Sequence, residues 1–101
     1  MKTPESKEKD KICEYLDSIG AWYCKPATYG FGKSGTPDII ACIELNMDFG
    51  GNFFAIEVKR EGKEPTKLQS LRMTAIHTNG GIAVWGTAEK VIKELDERFR
   101  R

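Results

Sequence analysis

The chain has 101 residues, a length that supports one hydrophobic core and not two, and its 40% apolar and 10% aromatic content excludes a wholly disordered polymer. Sixteen basic against fifteen acidic side chains leave a net charge of +1, which excludes the bulk positive field of a histone-like protein and confines any nucleic-acid surface to a local patch. No apolar run approaches the roughly 20 residues that cross a bilayer, and the polar start from Met1 to Lys11 has no signal-type stretch behind it, so a single cytosolic domain over 1–101 with no membrane partner is expected.

Thr3 and Pro4 read as an N-cap followed by a proline at the first helical position, after which Ile12, Tyr15, Leu16 and Ile19 recur at helical spacing up to Gly20. Ala21 to Cys24 forms a short aromatic-rich strand. Lys25 to Thr36, with Gly30, Gly32, Gly35, Lys25 and Lys33, reads as a basic, glycine-rich loop whose Tyr29 and Phe31 could stack on a base or merely anchor the loop. Asp38 then opens the run from Ile39 to Ile43, apolar enough for a strand covered on both faces, and Phe53 to Val58 is a second such run. Asn46 to Asn52 supplies the turn of a hairpin between them.

Pro65 begins the next helix, in which Leu68, Leu71 and Ala75 form an apolar stripe flanked by Ile76, and Gly80 with Gly81 ends it. Ile82 to Trp85 is a fourth strand. Gly86 and Thr87 lead into a last helix with Val91, Ile92, Leu95 and Phe99 on one face and Arg98, Arg100 and Arg101 at its end, a position that suits the helix dipole. The order α, β, β, β, α, β, α predicts an α/β fold, with a mixed central sheet flanked by helices.

Cys13, Cys24 and Cys42 are odd in number and contain no C-x-x-C pair, so they read as reduced, mostly buried side chains rather than disulfides or zinc ligands. His77 is the only histidine, so a catalytic metal would need oxygen ligands, which favours a hard ion such as Mg²⁺ or Mn²⁺. Asp38 follows Pro37 at the mouth of one central strand, and Glu57 and Lys59 sit two apart at the end of the next, hence on one face of it. Glu-x-Lys occurs three times, at Glu5, Glu57 and Glu61, but only Glu57 to Lys59 ends a buried-looking strand and follows a Pro-Asp strand in a hairpin. Taken singly, a Pro-Asp pair is commonly a turn, and Glu with Lys at a strand end a solvated ion pair. At about 100° per residue, Glu5 lies roughly 20° and Glu8 roughly 40° from Ile12, within the apolar face of the first helix, whereas Glu14 points away. Gln69, in the first turn of the second helix, lies at the edge of its stripe.

Gly35, Thr36, Pro37 and Asp38, then Glu57, Val58 and Lys59, then Gln69, preceded by a helix carrying Glu5, resemble the PD-(D/E)xK nuclease superfamily. Within it, the closest match is the virus-type replication-repair nuclease domain in the small stand-alone form found in phages and bacteria. The resemblance runs from about Glu5 to Trp85 and implies a restriction-endonuclease-like αβββαβ core. It also implies a site in which Asp38, Glu57, Lys59, Gln69 and Glu5 serve hydrolysis of a DNA phosphodiester. Asp38, Glu57 and the Val58 carbonyl would hold Mg²⁺ or Mn²⁺, with Glu5 completing the site directly or through water. Lys59 would stabilise or help activate the attacking water, and Gln69 would hold Lys59 or a phosphate.

Lys25, Lys33, Arg60 and Lys63 are expected to meet the backbone of branched or double-stranded DNA. Small stand-alone members of the family resemble junction resolvases, and a domain with one site cuts one strand, so symmetric cleavage of a four-way junction calls for a homodimer. A phage-encoded copy would act in the cytoplasm of a bacterial host cell. Two alternatives stay open, a flap, fork or restriction-type endonuclease on the same core, and a non-catalytic DNA-binding module that keeps the fold.

Overall fold

The computed structural model describes residues 2–27, 35–44 and 51–99. The Thr3 hydroxyl accepts the Ser6 amide at 3.1 Å, and Pro4 takes the first helical position, so α1 starts where the cap chemistry dictates and spans Pro4–Ser18. It is followed by β1 (Trp22–Cys24), β2 (Ile39–Ile43), β3 (Asn52–Val58), α2 (Lys67–Thr78), β4 (Ile82–Gly86) and α3 (Ala88–Phe99). The strands form one mixed sheet in the order β1-β2-β3-β4, with the first two pairings antiparallel and β3 parallel to β4. The parallel pair is joined through α2, the crossover that such a pair requires. The predicted α/β order is the observed one. Tyr29, Phe31 and Lys33 in the glycine-rich loop, most of the hairpin turn, and Arg100 and Arg101 lie outside the described residues.

Alternation along β3 sends Phe54, Ile56 and Val58 to one side, where they are fully buried against Ile12 and Leu16 of α1 and Val91 and Leu95 of α3. Removing each such side chain from water contributes about 1.5–3 kcal/mol, so this layer supplies the bulk of the stabilisation. Ala55, Glu57 and Lys59 point to the other side, which α2 covers over β3 and β4. Two polar contacts lock α1 to α3. Tyr15 donates its hydroxyl hydrogen to Asp96 at 2.5 Å, and the Glu8 carboxylate accepts the amide of Ala88, the first residue of α3, at 2.8 Å.

Two expectations about burial are corrected. The predicted stripe of α2 faces outward: Leu68, Leu71 and Ala75 are exposed, no residue of α2 is fully buried, and the half-buried positions are Gln69, Arg72, Met73 and Ile76. The inward face is thus displaced by one residue, about 100° around the helix, because Gln69 must point at the sheet to reach a polar partner there. The β2 strand is covered on one face only, with Ile39, Ala41 and Ile43 buried, Ile40 half-buried and Cys42 exposed, because α2 packs on β3 and β4 and stops short of β2. Of the three free cysteines, Cys13 is buried, Cys24 half-buried and Cys42 exposed.

The contact of Glu8 with α3 gives a stability test. A carboxylate that accepts an otherwise unpaired helix-start amide is worth about 1 kcal/mol. Glu8→Ala is expected to lower unfolding stability by about that amount in urea titration, whereas Glu14→Ala, on the exposed side of α1, should stay within about 0.5 kcal/mol of the parent. Equal effects from the two changes would contradict this role for Glu8.

Candidate active site

The site grows from the register of the hairpin. Ile39 pairs with Ile56, so Asp38, one residue before β2, faces Glu57 across the ladder, and both lie on the side of the sheet away from the large core. The chain reaches this point through Gly35, whose φ of +80° favours glycine and whose missing side chain leaves room for α2: a Cβ there would lie 3.0 Å from Arg72 and 3.1 Å from Leu68. Asp38 Oδ2 accepts the Val58 amide hydrogen at 2.8 Å, fixing the carboxylate beside the end of β3. Its other neighbour is Glu57, close enough for the two carboxyls to share a hydrogen bond.

Glu57 is 2% exposed and Lys59, two residues on, is 9% exposed. The Gln69 side-chain amide donates to Glu57 Oε1 at 2.8 Å, while its oxygen accepts the Thr66 amide hydrogen at 2.8 Å. Thr66 in turn accepts the Gln69 backbone amide at 3.2 Å, closing a capping box. Gln69 therefore joins the start of α2 to the buried glutamate, and its amide is committed to Glu57 and Thr66.

Two neighbouring acids, one of them buried, cannot both ionise cheaply. Burial first, and then the hydrogen bond to Asp38 and its charge, push the Glu57 carboxyl up from its ordinary 4.5 to about 8; Lys59 pulls it back in part, and Glu5 adds a smaller upward push. The pair thus holds a proton at neutral pH where a cation would remove the repulsion instead. Two carboxylates are a donor set that fits a hard divalent ion, with the Val58 carbonyl next in the chain. Among the described residues no three acidic, cysteine or histidine side chains converge into a cation-binding cluster, so Glu5 acts on Glu57 through its charge from a greater distance.

The remaining predicted residues divide by place. Lys25 is exposed beyond β1, Arg60 and Lys63 are exposed on the segment that follows Lys59, and Lys33 lies outside the described residues. Two neighbours of the site escape the sequence reading. The Lys9 ammonium lies 3.8 Å from Asp38 Oδ1, half-exposed, one helical turn after Glu5. Its angular position, about 20° from Leu16, is a signal available in the sequence, but charge hides it, since a lysine on an apolar face reads as an error of phase. Trp85 pairs with Glu57 in the parallel ladder and so shares its face of the sheet. Only the register between β3 and β4 reveals that.

A solved structure described as "VRR_NUC domain" superposes with a TM-score of 0.76 at 21% identity, covering 98% of this chain and 100% of the other. A second, described as "VRR_NUC domain protein", gives a TM-score of 0.69 at 17% identity over 97% of this chain and 89% of that one. No family model matches the sequence, and no curated protein matches it. The chain shares the fold of these VRR_NUC domain structures, a mixed four-stranded sheet flanked by helices.

The buried proton has a measurable consequence. Below about pH 4.5 Glu57 is protonated in native and unfolded chains alike; between there and about 8 only the native state keeps the proton, so raising the pH favours unfolding. Metal-free protein is expected to lose stability, on the order of 2 kcal/mol, from pH 5 to 8 relative to Glu57→Gln, which carries no such proton. Urea titrations of both at each pH read the difference. A gap that does not change with pH would contradict the shared proton.

Proposed function

We propose that this protein is a divalent-metal-dependent DNA endonuclease that cuts branched DNA, four-way junctions above all, as a homodimer in the cytoplasm. The observation that carries the reading is the Asp38–Glu57 carboxyl pair, with Glu57 buried and Asp38 half-buried, adjacent to Lys59 and oriented by Gln69, on a fold shared with VRR_NUC domains. A bound Mg²⁺ or Mn²⁺ would supply a water acidified enough to act as nucleophile and would neutralise charge on the scissile phosphate. Asp38, Glu57 and the Val58 carbonyl would hold that ion, with Glu5 contributing through water. Gln69 keeps Glu57 Oε1 in a fixed direction, which leaves Oε2 for the ion or its water.

Lys59, buried at the end of β3, would set its ammonium group against the phosphate oxygens and stabilise the charge that develops there. Lys25, Lys33, Arg60 and Lys63 would contact the sugar-phosphate backbone, where charge gives affinity without reading sequence. Among the described residues no recognition helix or zinc module provides base readout, which favours the shape of the DNA as the determinant. One carboxyl pair per chain cuts one strand, so paired cuts across a junction need two copies. Trp22 and Phe53, 63% and 47% exposed on the face that α2 leaves open, are suitable apolar material for the contact between them.

Asp38→Asn, Glu57→Gln and Lys59→Gln keep shape and hydrogen bonding while removing charge. Each is expected to lower cleavage of a labelled four-way junction in Mn²⁺ by at least 10²-fold while the variant still unfolds in one cooperative thermal transition. EDTA should abolish the parental activity, and light scattering should report twice the 11.4 kDa chain mass. Parental cleavage by any of the three variants would overturn the assigned chemistry, and a monomer that cuts only flaps would overturn the junction reading.

A further inference from the structure

Beside the carboxyl pair runs a groove of about 630 Å³, between the segment that follows Lys59, the end of β4 and the first turns of α3. Its cations are Arg60, Lys63, Lys90 and Lys93, and Trp85 forms part of its wall. Lys90 and Lys93 stand three residues apart and so project from one side of α3. Arg60 follows Lys59 directly and Trp85 is the register partner of Glu57, so the groove begins next to the strand ends that carry the site.

Three glutamates, Glu61, Glu64 and Glu89, line the same groove. Even so, among the described residues none of the four cations forms an ion pair. Lys90 is held in another way, with its ammonium 3.3 Å above the centre of the Trp85 ring. Gly86 makes that posture possible. Its φ is +140°, and a Cβ there would lie 2.6 Å from Lys90 Cδ and 3.2 Å from Cβ and Cγ, so a side chain at this position would displace the lysine stem from the strand. A lysine that rests on an aromatic face keeps its N–H donors for a ligand and has already given up part of its rotamer freedom. Charge and enclosure together suit a strand of phosphates, for which unneutralised cations release counterions on binding.

We propose that this groove is a sugar-phosphate subsite for the DNA strand next to the bond to be cut, with Lys90, seated on Trp85, as its fixed phosphate contact and Lys93 as the next. The proposal rests on the nuclease reading and extends the DNA contact onto α3. It predicts that the α3 lysines contribute to binding even when no chemistry occurs.

The test is fluorescence anisotropy with a labelled four-way junction, in EDTA and on a Glu57→Gln background, across a series of KCl concentrations. Adding Lys90→Gln and Lys93→Gln is expected to weaken binding at least tenfold and to flatten the dependence of log K on log salt by about 1.4–1.8. Replacing the same two residues with arginine should retain most of the affinity, and all variants should melt close to the Glu57→Gln background. Lys7→Gln, on α1 and not among the residues that line the groove, should bind as the background does. Background-like affinity and salt slope in the double glutamine variant would overturn the subsite and leave the nuclease reading standing. Absence of junction binding by the background protein itself would overturn the nuclease reading and the subsite with it.

Discussion

Asp38 and Glu57 are brought within hydrogen-bond reach of each other by the register of a hairpin. The antiparallel register places them opposite each other, the Val58 amide holds one, and Gln69 holds the other. Burial would expel a single carboxylate to water or neutralise it; here two are kept, and the cost appears as a proton retained on Glu57 far above its ordinary range. The proposed chemistry follows from that constraint, since a site that cannot tolerate two negative charges unaided has affinity for whatever positive charge fits between them.

Much of the rest of the molecule serves to keep that contact in place. The apolar layer of Phe54, Ile56 and Val58 against α1 and α3 makes β3 rigid, so its opposite face can carry Glu57 and Lys59 without local opening. Glu8, although it shares the inward side of α1 with Glu5, is spent on the first amide of α3, which ties the two helices across the core. Gln69 combines a structural and a positioning task, closing the cap of α2 while bracing Glu57, and the turn of α2 that results exposes Leu68 and Leu71.

Element order and the placement of Asp38, Glu57 and Lys59 together at strand ends were legible in the sequence because they depend on local signals, the Thr3-Pro4 cap, the apolar runs, and polar residues at strand ends. What depended on the packing of one element against another was less legible. The phase of α2 was misread by one residue, since periodicity rewarded Leu68, Leu71 and Ala75 while the structure rewarded a polar contact from Gln69. The open face of β2 was missed because apolar composition does not say how far a covering helix reaches. Helical phase places Lys9 on the inward side of α1, but its contact with Asp38 and the seat of Lys90 on Trp85 depend on how the elements pack, which periodicity does not report.

Calorimetric titration of Mn²⁺ into metal-free protein at pH 7, in two buffers of different ionisation enthalpy, measures binding and proton release together. Displacement of the proton shared by Asp38 and Glu57 predicts release of about one proton per ion bound by the parent, with at least tenfold weaker binding and no release by Glu57→Gln. Binding of equal strength to both proteins, with no proton released by either, would contradict a metal site built on the carboxyl pair.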